Sequence, residues 1–90
     1  MSDATAEAEV LAGLRDILGQ VTGQPEAAAL APDTPLFRGG AGLDSLTGTL
    51  LLREVRRRFG VDVAAEDLNL DSLASLETLA VFITEHRRDR

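Results

Sequence analysis

Apolar side chains recur every three or four positions in three separate stretches of this chain, and this spacing predicts amphipathic helices. The first stretch runs from Ala6 to about Val21, and Gly23 and Pro25 end it. Its apolar stripe consists of Val10, Leu11, Leu14, Ile17, Leu18 and Val21. The last stretch ends at about His86. Its stripe consists of Leu76, Leu79, Ala80, Phe82 and Ile83.

The middle stretch has clear signals at both of its ends. Asp44 stands immediately before it, where a short carboxylate side chain can cap the free amides of a first helical turn. Gly60 follows it, at the position where glycine commonly ends a helix. We therefore predict a second long helix over Ser45 to Phe59. The residues expected to face the core are Leu51, Leu52, Val55 and Phe59.

The connection between the first two helices, residues 23–43, is about 20 residues long. Compact domains seldom contain a connection of this length unless it packs against the core. The segment holds all three prolines of the chain, and Ala27 to Ala31 could form a helical turn. We interpret it as an ordered loop that Leu30, Leu36 and Phe37 pin to the core.

The chain after the second helix predicts one short helix. Val61 and Val63 are interpreted as an extended connector, and residues 64–70 as a helix of one or two turns. Ser72 or Ser75 is expected to cap the last helix. No convincing strand is visible. The predicted fold class is therefore all-α: a four-helix bundle with three main helices, a short third helix and a long loop between helices 1 and 2.

Ninety residues form a single domain with one modest core, so we expect residues 1–90 to be one unit. Residues 1–6 are expected to be disordered and residues 87–90 to be frayed. Cysteine is absent, which excludes a disulfide and a thiolate metal site. His86 is the one histidine, so we expect no catalytic triad, no catalytic residue and no metal site.

The charge balance argues against two classes of partner. The net charge is −6, and Trp and Tyr are absent, so nucleic-acid binding and binding to an anionic membrane are not expected. No apolar run is long enough to span a membrane, and the N-terminus does not have the pattern of a signal peptide. A monomeric cytoplasmic protein is the expectation.

The segment Gly42-Leu43-Asp44-Ser45-Leu46 carries the main chemical prediction. A glycine-rich approach delivers Ser45 to the first turn of a helix, where free N–H groups and the helix dipole stabilise an anion. Taken alone, Ser45 is more simply a capping serine. The segment Leu70-Asp71-Ser72-Leu73 repeats the same four letters without the preceding glycines. We therefore interpret Ser72 as a turn or cap residue.

With this motif, helix order and length, the chain resembles the acyl and peptidyl carrier protein family. The resemblance covers nearly the whole chain, including the Leu36-Phe37 loop anchor and Phe59-Gly60-Val61-Asp62-Val63. It implies that a phosphopantetheinyl transferase attaches 4′-phosphopantetheine from coenzyme A to Ser45. By the same resemblance, Asp44 would cap the helix and contribute to transferase recognition, and Leu46 would contact the arm or a partner.

The resemblance also implies the remaining partners. Cargo would be held as a thioester and presented to an acyl- or aminoacyl-loading enzyme and to downstream synthase and tailoring enzymes. A groove between the second and third helices would be a resting place for short cargo.

The second helix departs from the acidic surface that is common in fatty-acid carriers. Leu50 and the nearby arginines stand where acidic residues are frequent, so we expect a partner with acidic or apolar contacts. The expected docking residues are Leu46, Leu50, Arg53 and Arg57. A simpler interpretation is a solvated basic face in which Glu54 reaches Arg58 at i+4, with Leu46 and Leu50 both in the core.

The function that this sequence predicts is that of a standalone acyl carrier protein in polyketide-type or related secondary-metabolite biosynthesis. An aminoacyl or peptidyl carrier of a nonribosomal pathway is the alternative within the same class. An unmodified helical protein-interaction module is the alternative from a different class, and nucleic-acid binding through residues 53–58 is a weaker one. The cargo and the pathway stay open.

Overall fold

The computed structural model describes residues 3–37, 43–68 and 70–88. The α-helices are α1 (Asp3–Thr22), α2 (Ser45–Phe59), α3 (Val63–Glu66) and α4 (Leu76–Arg88). Two 3₁₀ helices, Pro25–Ala29 and Asp71–Leu73, lie in the connections. Within the described ranges there is no strand, and one isolated bridge joins Pro35 and Ser75. The all-α prediction, with three main helices and a short third one, is confirmed.

The two terminal helices are longer than the apolar pattern indicated. Helix α1 begins at Asp3 and not at Ala6, since alanine and glutamate favour a first turn and acidic side chains suit its dipole. Helix α4 continues past His86 to Arg88, where arginine suits the C-terminal dipole. The helical bounds therefore include part of the residues expected to be disordered or frayed.

Helix α3 lies earlier and is shorter than predicted. Val63 is its first residue and not part of an extended connector, because Asp62 caps the helix by accepting a hydrogen bond from the Ala65 amide at 3.2 Å. The helix ends at Glu66. The sequence pattern included Leu68 in the helix because its side chain is apolar. In the structure, however, Leu68 is 86% exposed and does not pack against the core.

The core lies between α1, α2 and α4, whose apolar stripes face one another. The fully buried side chains include Val10, Leu14, Ile17, Leu18, Leu51, Val55, Leu76, Leu79 and Ile83. Leu52 and Phe59, which were expected in the core, are half-buried at its edge. Phe59 lies against Gly13, and the Arg87 guanidinium covers the Phe59 ring at 5.4 Å from the ring centre.

None of the described helices is both long enough and apolar enough to cross a bilayer.

The long loop before α2 is ordered over its described part, as predicted. Leu36 is fully buried, Phe37 and Leu30 are half-buried against the core, and the Arg15 side chain donates to the Leu30 carbonyl at 2.9 Å. Carbonyl groups of the loop also accept hydrogen bonds from the start of α4: the Leu76 amide donates to the Thr34 carbonyl at 2.9 Å. This loop therefore holds the start of α4 and brings the chain back to the start of α2.

The beginning of α4 resolves the choice between two capping serines. Ser75 Oγ accepts the Thr78 amide at 3.1 Å, and Thr78 Oγ1 accepts the Ser75 amide at 2.8 Å. This reciprocal pair satisfies two amides that the helix itself cannot. Ser75, and not Ser72, is the cap of α4.

Two glycines, Gly60 at the end of α2 and Gly19 within α1, give a matched test of backbone conformation. Gly60 ends α2 with φ of +73°, which costs an alanine about 1–2 kcal/mol. Gly19 lies inside α1 with space for a methyl group, so alanine there removes the entropic cost of glycine, about 0.5–1 kcal/mol. In urea unfolding we expect Gly60→Ala to lower the midpoint and Gly19→Ala to raise it. Equal midpoints for the two variants would contradict this description of the α2 end.

Candidate functional site

Ser45 is the first residue of α2, and its side chain is exposed. The helix starts here because Asp44, in an extended conformation, accepts the Thr47 amide through its Oδ1 at 2.7 Å. The first intrahelical bond runs from the Gly48 amide to the Asp44 carbonyl at 2.8 Å. The Ser45 amide precedes that bond and is available to an anion placed on the serine, whereas the Leu46 amide, like the Thr47 amide, acts on the Asp44 carboxylate.

The hydroxyl of Ser45 is unengaged among the described residues, whereas its carbonyl accepts the Thr49 hydroxyl at 2.8 Å. A free, exposed alcohol beside an uncommitted amide at a helix start is suited to carry an ester-linked phosphate. The residues present thus fit a covalently attached group with a negative charge at its point of attachment.

The hydrogen bond from the Thr47 amide lowers the pKa of the Asp44 carboxyl below its ordinary value. Asp44 is therefore ionised at neutral pH, and its charge holds the first turn of α2 in place. Because the carboxylate is exposed, this charge is also available to a partner protein.

The lowered pKa of Asp44 gives a pH prediction. A carboxyl whose pKa falls on folding stabilises the native state above its unfolded pKa, and that contribution disappears as pH falls through the folded pKa. We compare wild type with Asp44→Asn, which keeps a neutral cap. The difference in urea midpoint should be constant near pH 7 and should shrink on acidification below pH ~4. A difference that grows on acidification would contradict the assignment.

The second Asp-Ser-Leu segment has a different environment from the first. Ser72 lies in the 3₁₀ helix Asp71–Leu73, is 7% exposed, and its hydroxyl has no hydrogen-bond partner within the described part of the chain. Its amide donates to Asp67 at 2.8 Å. Ser72 is a turn residue, as predicted, and a transferase cannot reach its oxygen without local unfolding. The glycines at 39, 40 and 42, which support the Ser45 prediction, lie outside the described residues.

A glycine inside α2 was not singled out from the sequence. Gly48 is buried, and a Cβ at this position would lie 3.1 Å from the Phe37 ring, so the missing side chain lets the ring approach the helix. A glycine in mid-helix costs stability and is a usable sequence signal of such close packing. The ring also borders an open cleft of about 710 Å³. The other lining residues are Leu70, Asp71, Leu73 and Ala74.

Leu70 combines two unusual properties beside this cleft. Its φ is +57°, a left-handed conformation that is costly for a leucine, and 41% of the residue is exposed. Residues held in such conformations are often found at functional positions. The Phe37 ring, which borders the cleft, packs on Gly48, one helical turn after Ser45.

The outward side of α2 carries the four residues expected to dock a partner. At 100° per residue, positions 46, 50, 53 and 57 share one face. Leu46 is 70% exposed, Leu50 is half-buried, and the Arg57 side chain is 80% exposed. Leu46 is therefore exposed as predicted and is not in the core.

The ion pairs of α2 differ from the expected i, i+4 pair. Arg58 bonds to Asp16 of α1 at 2.9 Å and not to Glu54, because it points towards the first helix. Glu54 instead lies 3.9 Å from Arg57. The basic segment is therefore only partly neutralised by its own helix.

The His86 side chain contacts neighbouring residues of the fold, Phe82 and Glu66. Its Nδ1 lies 2.9 Å from the Phe82 carbonyl oxygen and its ring stacks on Phe82 at 3.9 Å. Its Nε2 lies 3.8 Å from Glu66 of α3. Over the residues that the structure describes, no three His, Cys, Asp or Glu side chains are grouped so that they could hold a metal ion.

Comparison with known proteins assigns this chain to a family. A family model described as phosphopantetheine attachment site matches residues 12–80, more than three quarters of the chain. Neither a comparison with curated proteins nor one with solved structures gave a match. The chain therefore belongs to the phosphopantetheine attachment site family: it is a carrier protein, not an enzyme, whose prosthetic group is 4′-phosphopantetheine delivered by a phosphopantetheinyl transferase.

Proposed function

We propose that Ser45 is the attachment residue and that the protein is an acyl carrier acting as a separate protein in polyketide-type or related secondary-metabolite biosynthesis. The observation that carries this proposal is the exposed hydroxyl of Ser45 at the first turn of α2. The competing serine of the repeated motif, Ser72, is buried. The Asp44-Ser45-Leu46 sequence supports acyl over aminoacyl cargo by family resemblance.

In this proposal each residue of the first turn has a separate part. In the transferase, the Ser45 oxygen bonds to the phosphorus on the pantetheine side of the coenzyme A pyrophosphate, the P–O bond to the adenosine side breaks, 3′,5′-ADP leaves, and the serine proton passes to a base of the transferase. The Ser45 amide stabilises the resulting phosphodiester. Asp44 keeps the turn helical and contributes a carboxylate to transferase recognition. When bound, the arm supplies the thiol that the chain lacks, and an acyl group is held on that thiol as a thioester.

The surroundings of Ser45 offer two contacts for the arm. Leu46 is an exposed apolar side chain directly after the attachment residue. The cleft between Phe37 and Leu70 is apolar for the most part, and the Phe37 ring that borders it packs on Gly48, near the same end of α2. We propose Leu46 and this cleft as the places where the arm and short cargo rest between reactions.

Cargo identification separates the proposed function from its alternatives. The protein is isolated from cells that naturally produce it, its intact mass is measured, and hydroxylamine is then used to release the cargo. We expect a holo protein that releases an acyl hydroxamate without an amino group. Release of an aminoacyl hydroxamate would favour the peptidyl-carrier alternative, and a chain that carries no arm would favour the unmodified interaction module.

A further inference from the structure

The charges of this protein are distributed unevenly over its surface. Helix α2 contains four arginines and one glutamate, a net charge of +3, in a chain whose net charge is −6. The remainder of the molecule is therefore strongly acidic. The positive surface therefore stands out against an acidic remainder, and it lies on the helix that begins at the candidate attachment residue.

The arginines of α2 divide into two groups. Arg58 is committed to Asp16 on α1, at 2.9 Å, and also donates to the Gly13 carbonyl. Arg53 and Arg56 are exposed, and in the described ranges neither side chain forms an ion pair or a hydrogen bond. Arg57 has one loose contact, 3.9 Å from Glu54, and its side chain is 80% exposed. Three guanidinium groups thus have donors left for a partner.

The outer face of α2, defined as Leu46, Leu50, Arg53 and Arg57, has an apolar end and a basic end. Leu46 adjoins Ser45, and Leu50 follows one turn later. With a helical rise of ~1.5 Å per residue, Arg53 and Arg57 lie ~12 and ~18 Å from Ser45 along the axis. The apolar residues of this face therefore lie next to Ser45, and the basic residues lie farther along the helix.

We propose that the outer face of α2 docks an enzyme that presents an apolar contact at the mouth of its arm-binding channel and carboxylates ~12–18 Å from that mouth. This inference rests on the proposed function, since the arm on Ser45 must enter that channel. Burial of Leu46 supplies apolar contact energy, and the arginine–carboxylate pairs set the orientation and the rate of encounter. An acidic partner complements the charge of this face. The acidic remainder of the molecule repels such a partner, so α2 is the surface on which it can dock.

The first arm of the test uses poly-L-glutamate as a model acidic surface and records amide chemical shifts of 15N-labelled protein at low salt. We expect shifts confined to the outer face of α2, which are lost at high salt. The Arg53→Gln/Arg57→Gln variant should lose them. The Gln24→Glu/Ala28→Glu variant, at the exposed residue before the 3₁₀ helix Pro25–Ala29 and at an exposed residue within it, changes the net charge by the same amount and should keep them.

The second arm measures loading in the cells that naturally produce the protein. Intact mass gives the fraction of holo protein and the fraction of holo protein that carries cargo. We expect Arg53→Gln/Arg57→Gln to remain holo but to carry at least tenfold less cargo than wild type. The Gln24→Glu/Ala28→Glu control should carry cargo as wild type does. A wild-type chain that lacks the arm would refute the proposed function, whereas equal loading of both variants would refute only the docking proposal.

Three further results would overturn the acidic-partner proposal. Poly-L-glutamate shifts scattered over the whole protein would show that the face is not selective. Tighter binding of duplex DNA than of poly-L-glutamate at the same salt would favour a nucleic-acid surface. Concentration-dependent shifts on this face, together with a dimer in sedimentation, would show that a second copy of the chain is its occupant.

Discussion

We expect the Ser45→Ala variant to accept no phosphopantetheine and the Ser72→Ala variant to accept as much as wild type. Both serines stand in the same Leu-Asp-Ser-Leu sequence, so a transferase that read only these letters would not distinguish them. The structure separates them by position: Ser45 is exposed at the start of α2, and Ser72 is 7% exposed in a 3₁₀ helix. Incubation with coenzyme A and a broad-specificity transferase, followed by intact mass, measures the difference.

The Ser72 control is informative because it should not perturb the fold. Its hydroxyl oxygen is buried and has no partner within the described ranges, so its removal leaves no new unsatisfied group. We expect Ser72→Ala to be at least as stable as wild type. A mass gain that survives Ser45→Ala but disappears in Ser72→Ala would overturn the assignment of the site.

The second large effect is on stability. Leu51 is fully buried in α2, and its truncation to alanine should lower the free energy of unfolding by ~2–5 kcal/mol, the usual cost of a leucine-sized cavity. Leu46 lies on the same helix but is 70% exposed, so Leu46→Ala should change stability by no more than ~0.5 kcal/mol. A small domain has only ~5–15 kcal/mol in total, so Leu51→Ala should be close to unfolding.

Urea denaturation followed by circular dichroism measures both leucine variants. The comparison matters for function because it separates the core side of α2 from its outer face. A stability loss in Leu46→Ala as large as that in Leu51→Ala would contradict the exposure of Leu46. It would also remove the basis for assigning Leu46 to partner or arm contacts.

Much of the fold follows from local rules that the sequence displays. The stripe that includes Leu14 and Ile17 predicted α1, and the pair of Asp44 and Gly60 predicted both ends of α2. Ser45 could be found from the sequence for the same reason, since a cap and a helix start are local signals. The exposure of Ser45 follows from being first in the helix.

The features that the sequence did not predict depend on contacts between distant segments. Arg58 bonds to Asp16, 42 residues away, and the i, i+4 rule cannot anticipate a partner on another helix. The packing of Phe37 on Gly48 is visible only when the long loop is placed against α2. Leu68 resembles a core residue in the pattern, but no neighbouring element covers it, so the predicted extent of the third helix was wrong.

The most direct test of the attachment site is fragmentation mass spectrometry of the holo protein after trypsin. Cleavage after arginine places Ser45 in the peptide 39–53 and Ser72 in the peptide 59–87, so the two motifs are separated by the digest. We predict that the phosphopantetheine mass is found on peptide 39–53 and that fragment ions place it on Ser45 and not on Thr47 or Thr49. Its appearance on peptide 59–87, or on a threonine of α2, would contradict the account.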